Sequence, residues 1–427
     1  MRKLFVLVNA AAVLVLAGLV TPAATAEPEF VVDVGGAIYP LRWGQVDPVS
    51  EDLVAPYPRW RNLWAVCFKV GSRVGVRMHW EPGETPCAWL VTHSKLQSKL
   101  TAQTYWTEGA CDAPGGHGTH EPGEIHWFPA DVPGFVEYAE LIGDVVTCAP
   151  IEFGGSTART TEVFVVLDEP KAPMDPAWVS FLRYSCKWAR YRPGPDGVSY
   201  WDAETRTEND AAQRQTLGFF FQRPGMFYNG GVGAEWISWD GAEYRYHLKD
   251  ILDAWAGASY VPGECMDASV VDALALCSIG FSYLTRQIRS PALGFVTYPI
   301  CAIGDDPLQD SLYSSWSWAF HSITVQRDQS FAGSTPVWDA CAAQRENLIG
   351  QGYRNPPAYH QPDHSYWTQN GYWHTHVSGQ PEGAHLGLTF DDLHGSWIPV
   401  RAEWWMGGGT TMFEDWIPSK VTTDPRP

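Results

Sequence analysis

The chain has 427 residues, a formal net charge of −19 and 14% aromatic residues. Such acidity excludes a nucleic-acid backbone or an anionic membrane surface as the natural partner, because both repel it. The 22 tryptophans, together with 40 glycines and 32 prolines, exclude a disordered chain and point to turn-rich β structure with ample apolar surface to bury.

Residues 1–26 have the layout of a secretory signal peptide: Arg2 and Lys3, an apolar run from Leu4 to Val20, then Ala24-Thr25-Ala26. The expectation is a secreted protein of the cell envelope or extracellular space. No membrane span is expected after signal removal, because no later run reaches the roughly 18 apolar residues that a span needs. Nine cysteines in an oxidising compartment favour disulfides, and the odd number leaves one over. Four disulfides and one thiol is the simplest arrangement, and proximity suggests Cys67 with Cys87 and Cys111 with Cys148.

In residues 27–173, Leu63–Val70, Cys87–Val91 and Thr161–Leu167 read as short strands between Gly/Pro turns, which predicts an all-β, immunoglobulin-like sandwich. The Pro-rich stretch Asp168–Pro173 closes it. Residues 174–345 change texture, with helices expected over Pro176–Trp188, Leu248–Trp255 and Glu264–Ser278. In the third, Met266, Val270, Val271, Leu274 and Cys277 recur at helical spacing and are expected on one face, with Gly280 as the stop. Helices followed by strands predict an α+β domain. Residues 346–427, with strand-like runs at Ala384–Phe390 and Ser396–Val400, are expected to form a β-rich extension. The fold class expected is thus multidomain, all-β then α+β.

Cys265 stands where the third helix begins. Unpaired amides and the helix dipole at that position would lower a thiol pKa and favour the thiolate. A thiolate nucleophile needs a base, usually histidine, and the histidine needs an orienting group. His321 lies in the strand-like run Trp318–Val325, and Asp339 in the run Ser334–Cys341. A hairpin centred on Ser330 would make His321 and Asp339 direct cross-strand neighbours on one face.

Cysteine at a helix start, then histidine and aspartate on neighbouring strands, resembles the transglutaminase-like superfamily, relatives of papain-like cysteine proteases. The match rests on Gly263-x-Cys265-x-Asp267-x-Ser269, Phe320-His321-Ser322-Ile323-Thr324-Val325 and Val337-Trp338-Asp339-Ala340. The resemblance implies Cys265 as nucleophile, His321 as base and Asp339 as orienting acid. It implies thioester chemistry on amide bonds of a protein, peptide or cell-wall peptide substrate, with no cofactor. Glu264 and Met266 flank the cysteine where animal transglutaminases have glutamine and tryptophan, which weakens protein cross-linking as the activity. The aromatic that helps hold the oxyanion in those enzymes is not assignable, with Trp236 and Trp239 as candidates upstream.

Two other readings compete. His117, His120 and His126, or His374 and His376, could hold zinc in a metal-dependent hydrolase, although none fits an HExxH helix. The aromatic density around Tyr366-Trp367 and Tyr372-Trp373 could serve a catalytically inactive, glycan-binding cell-wall protein.

Overall fold

A computed structural model describes most of residues 27–147 and 159–288, the segments 295–296, 300–302, 317–318, 321–327 and 336–344, and short pieces at 367–368 and 420–421. The leader at 1–26, nearly all of the C-terminal extension, Cys111, His117, Cys148, His374 and His376 lie outside the described residues.

The described chain is mostly β-sheet with few helices. Its first part stacks two sheets over one apolar core. The larger has the order Ile38–Tyr39, Ala65–Lys69, Arg159–Val166, Glu137–Thr147, Trp89–Ser98, Thr104–Glu108. The smaller has Glu27–Val32, Val74–His79, His126–Trp127. Pairing is antiparallel except where Arg159–Val166 runs parallel to Ala65–Lys69. Side-chain alternation on Arg159–Val166 explains its central place. Val163 and Val165 enter the core between the sheets with Phe30, Trp60 and Val76. Phe164 and Val166 enter a second core on the opposite face, against helices.

Four helices follow: α1 (Val179–Ala189), α2 (Glu208–Phe220), α3 (Leu248–Ala256) and α4 (Cys265–Ser278). Three match the expected segments; α2, whose first turn carries Glu208 and Asp210, was not anticipated. Val179, Leu182 and Cys186 of α1 lie on the outer face of the large sheet with Ala211 and Ala212 of α2 and Ala273 and Leu276 of α4. The join is pinned by an ion pair between Glu137 of the sheet and Arg190 at the end of α1, 0% and 1% exposed. Glu137 also accepts bonds from Tyr105 Oη, Ser98 Oγ and the Tyr138 amide.

Met266, Val270, Val271, Leu274 and Cys277 share a face as expected, all in or against one core, but that face is not the helix's only buried one. Every residue of this helix except Met266 is buried, because its opposite sides belong to two cores: Val270, Val271 and Leu274 to one, Ala273 and Leu276 to the other. The helix ends where Gly280 adopts φ +114°, and a Cβ there would lie 2.6 Å from the Asp168 carbonyl oxygen, so only glycine fits. No helix among the described residues is long and apolar enough to cross a membrane.

The cysteine pairing is corrected. Cys67, expected to bond Cys87, is a thiol buried in the core beside the helices, and no disulfide occurs among the described residues. Cys186, Cys265 and Cys277 are buried thiols too.

Candidate active site

The start of α4 is built by two carboxylates. Glu264 caps the helix from an extended conformation (φ −119°, ψ −174°), and with Asp267 it forms a reciprocal capping box. The Glu264 amide donates to Asp267 Oδ2 at 3.1 Å, and the Trp236 amide donates to Asp267 Oδ1 at 3.1 Å. Asp267 is 0% exposed, so its two oxygens tie the helix start to the preceding loop. Gly263 is needed just upstream. Its strand Val261–Gly263 runs parallel to Met226–Tyr228, and a Cβ on Gly263 would stand 2.3 Å from Met226 Sδ.

His321 opens the strand His321–Gln326, which pairs antiparallel with Tyr283–Ile288, Ile288 opposite His321. Thr324 and Trp338 exchange both backbone hydrogen bonds, at 2.8 and 3.0 Å. This register differs by two residues from the expected one, so Asp339 is a diagonal rather than a direct neighbour of His321. A two-residue shift keeps every side chain on its face, whereas a shift of one would have separated them. The pair therefore still forms: His321 Nε2 lies 2.8 Å from Asp339 Oδ2, with both side chains 0% exposed. Asp339 Oδ1 accepts the Cys341 amide at 2.9 Å, which fixes the carboxylate plane. With Nε2–H committed to the carboxylate, Nδ1 is the nitrogen whose lone pair can take a proton.

Cys265 is brought to the same strand one residue along. The amide and hydroxyl of Ser322 are the groups placed to favour charge on its sulfur, and Thr324 Oγ1 holds the helix by donating to the Ser269 carbonyl at 3.2 Å. The expected thiolate is overturned. Burial pushes the Cys265 thiol well above its ordinary range, the charges of Glu264 and Asp339 push the same way, and the two Ser322 donors only partly oppose them. The helix start does offer its dipole, but its cap places carboxylate charge beside the sulfur. These surroundings favour a thiol over a thiolate at rest.

Trp236 is no oxyanion donor, since its indole N–H is bonded to the Pro262 carbonyl at 2.6 Å. Trp239 lies on the paired strand Ile237–Trp239. His120 and His126 do meet, with Nε2 and Nδ1 3.1 Å apart, and His126 Nε2 is 3.0 Å from Glu108 Oε2. No group of three or more such side chains arranged to hold a metal ion occurs among the described residues. Two residues escaped the sequence reading. Ser322 carried no signal beyond following the histidine. Asp272 did carry one, being a lone carboxylate inside the apolar run Val270–Leu276.

No family model matches the chain, and no curated protein matches it. Among solved structures the chain is similar to red sea bream transglutaminase, with a TM-score of 0.30 and 12% identity over 66% of this chain and 49% of that one. The chain thus spans about half the length of that structure, and a score at this level does not define a shared fold.

Proposed function

We propose that the chain is an exported, transglutaminase-like thiol enzyme that cleaves or exchanges amide bonds through a thioester on Cys265. The observation that carries this reading is the buried His321–Asp339 pair on the strand that also faces the start of α4.

His321 Nδ1 takes the thiol proton as Sγ attacks the amide carbonyl and the S–C bond forms. Amides of the first turn of α4 that the capping box does not engage stabilise the oxyanion. The C–N bond then breaks and the leaving amine departs with the proton held by His321. Water releases a carboxylic acid, or a second amine forms a new amide, and either restores the thiol. Asp339 holds the ring in the useful tautomer and stabilises the imidazolium. A protein or cell-wall peptide outside the cell is the substrate class that fits an acidic exported chain.

The test is iodoacetamide labelling of the native protein with peptide mapping. Preferential modification of Cys265 over the buried Cys67, Cys186 and Cys277, slowed on the order of tenfold or more by His321→Ala, supports the reading. Cys265 found in a disulfide, or labelled equally fast in His321→Ala, overturns it.

A further inference from the structure

Asp272 lies two turns along α4 from Cys265, is 0% exposed, and is not used by the chemistry above. It sits where three elements meet. Its Oδ2 is 3.1 Å from Thr216 Oγ1 of α2, and the Thr324 hydroxyl of the His321 strand is the second one that acts on its charge. Its Oδ1 has no partner.

The proton count at this junction is informative. A threonine hydroxyl has one proton to give. Thr216 Oγ1 is 2.8 Å from the Ala212 carbonyl, and Thr324 Oγ1 is 3.2 Å from the Ser269 carbonyl. If both hydroxyls satisfy those carbonyls, neither has a proton left for Asp272. A neutral Asp272 resolves the conflict: its own O–H donates to one hydroxyl, which passes its proton on to the backbone. An ionised Asp272 would have to take a proton from one carbonyl and would still keep an unsatisfied buried oxygen, which is costly. The charged groups that face it are also unfavourable to ionisation. Asp339 acts on it from beyond the hairpin; the Tyr283 phenol, held neutral by burial, adds no charge from the strand Tyr283–Ile288.

We propose that Asp272 is a neutral carboxylic acid in the folded protein and a positioning residue for the candidate triad, its O–H locking the Cys265 helix and α2 to the His321 strand. The positioning role rests on the function proposed above; the protonation state does not. Burial raises its ionisation to about pH 7, so the lock opens as the pH rises through neutrality. Then one of the two hydroxyls must turn from its backbone carbonyl to the carboxylate, and the hydrogen-bonded junction of the nucleophile helix with α2 and the base strand is broken.

The experiment has two arms. Carboxyl NMR of protein labelled with 13C-aspartate reads the protonation state without reference to activity. An aspartate carbonyl still protonated at pH 6, absent in Asp272→Asn and raised in midpoint by Thr216→Val, is the expected result. A carboxylate fully ionised at pH 5 overturns the proposal, whether or not Asp272→Asn folds, because Thr216→Val and wild type report on the same signal. The second arm measures the part of Cys265 alkylation that depends on His321, from pH 6 to 8.5. In wild type it falls severalfold across that window, whereas Asp272→Asn, unable to ionise, stays flat within about threefold. Parallel profiles for the two proteins overturn the positioning role. If alkylation never depends on His321 at any pH, the function reading fails while the NMR arm still decides the protonation state.

Discussion

Asp339 reaches His321 across the diagonal of a hairpin whose register is pinned by the Thr324–Trp338 backbone pair. The carboxylate therefore depends on its own anchor, the Cys341 amide, and not on strand pairing, to stay in line with Nε2. Asp339→Ala is expected to lower the His321-dependent alkylation of Cys265 on the order of a hundredfold. Asp339→Asn, which keeps the shape and loses the charge, should recover part of the folding stability but little of the rate. A variant that reacts like wild type in iodoacetamide kinetics would remove Asp339 from the site.

The raised Cys265 thiol makes a pH prediction of definite sign. Folding raises the thiol above its unfolded value, so the group remains protonated through neutral pH and ionises only on the alkaline side. The ultraviolet thiolate signal that distinguishes wild type from Cys265→Ser should appear above about pH 9. A step below pH 7 would instead indicate a preformed thiolate–imidazolium pair. Glu264→Gln keeps an acceptor for the capping box and removes the stronger of the two adverse charges. That substitution should speed Cys265 alkylation at pH 8 about two- to tenfold, equivalent to a shift of up to one pKa unit.

Arg190 and Glu137 are both buried, so breaking the pair leaves an uncompensated charge. Arg190→Ala should cost about 3–5 kcal/mol in urea unfolding. Arg190→Met with Glu137→Gln should cost clearly less than the sum of the two single changes, because the pair is removed as a unit.

Gly263→Ala forces a methyl group into Met226, which is itself 1% exposed. The expected loss is about 1–3 kcal/mol. Met226→Ala in the same chain should restore part of it, measured as thermal midpoint. A neutral effect of Gly263→Ala would mean that the two strands approach less closely than the structure has them.

Local signals in the sequence were strong where one residue type has one physical use. Gly280, read as the stop of α4, does end it with φ > 0, and the Cys265, His321 and Asp339 contexts lead to a helix start and a hairpin. What the sequence hid was long-range. The shared face of α4 was legible in its periodicity, but burial of the opposite face was not, because periodicity does not tell a wet side from a second core. The hairpin register was set by the Thr324–Trp338 pair and not by the loop midpoint, which spacing cannot reveal. The thiolate expectation counted the helix dipole and missed burial, which no linear pattern reports. Cysteine number gave no pairing, since Cys67 faces a helix layer contributed by residues more than a hundred positions later.

The strand Arg159–Val166 has hydrophobic residues on both of its faces, one set in each core. Severing the chain at the Pro-rich break near 173 would therefore not release two self-sufficient halves. The first fragment would carry Phe164 and Val166 naked to water, and the second would carry the bare flanks of α1 and α4. Each is expected to aggregate when expressed alone, and the two should recover solubility when produced together, as complementary pieces of one object do.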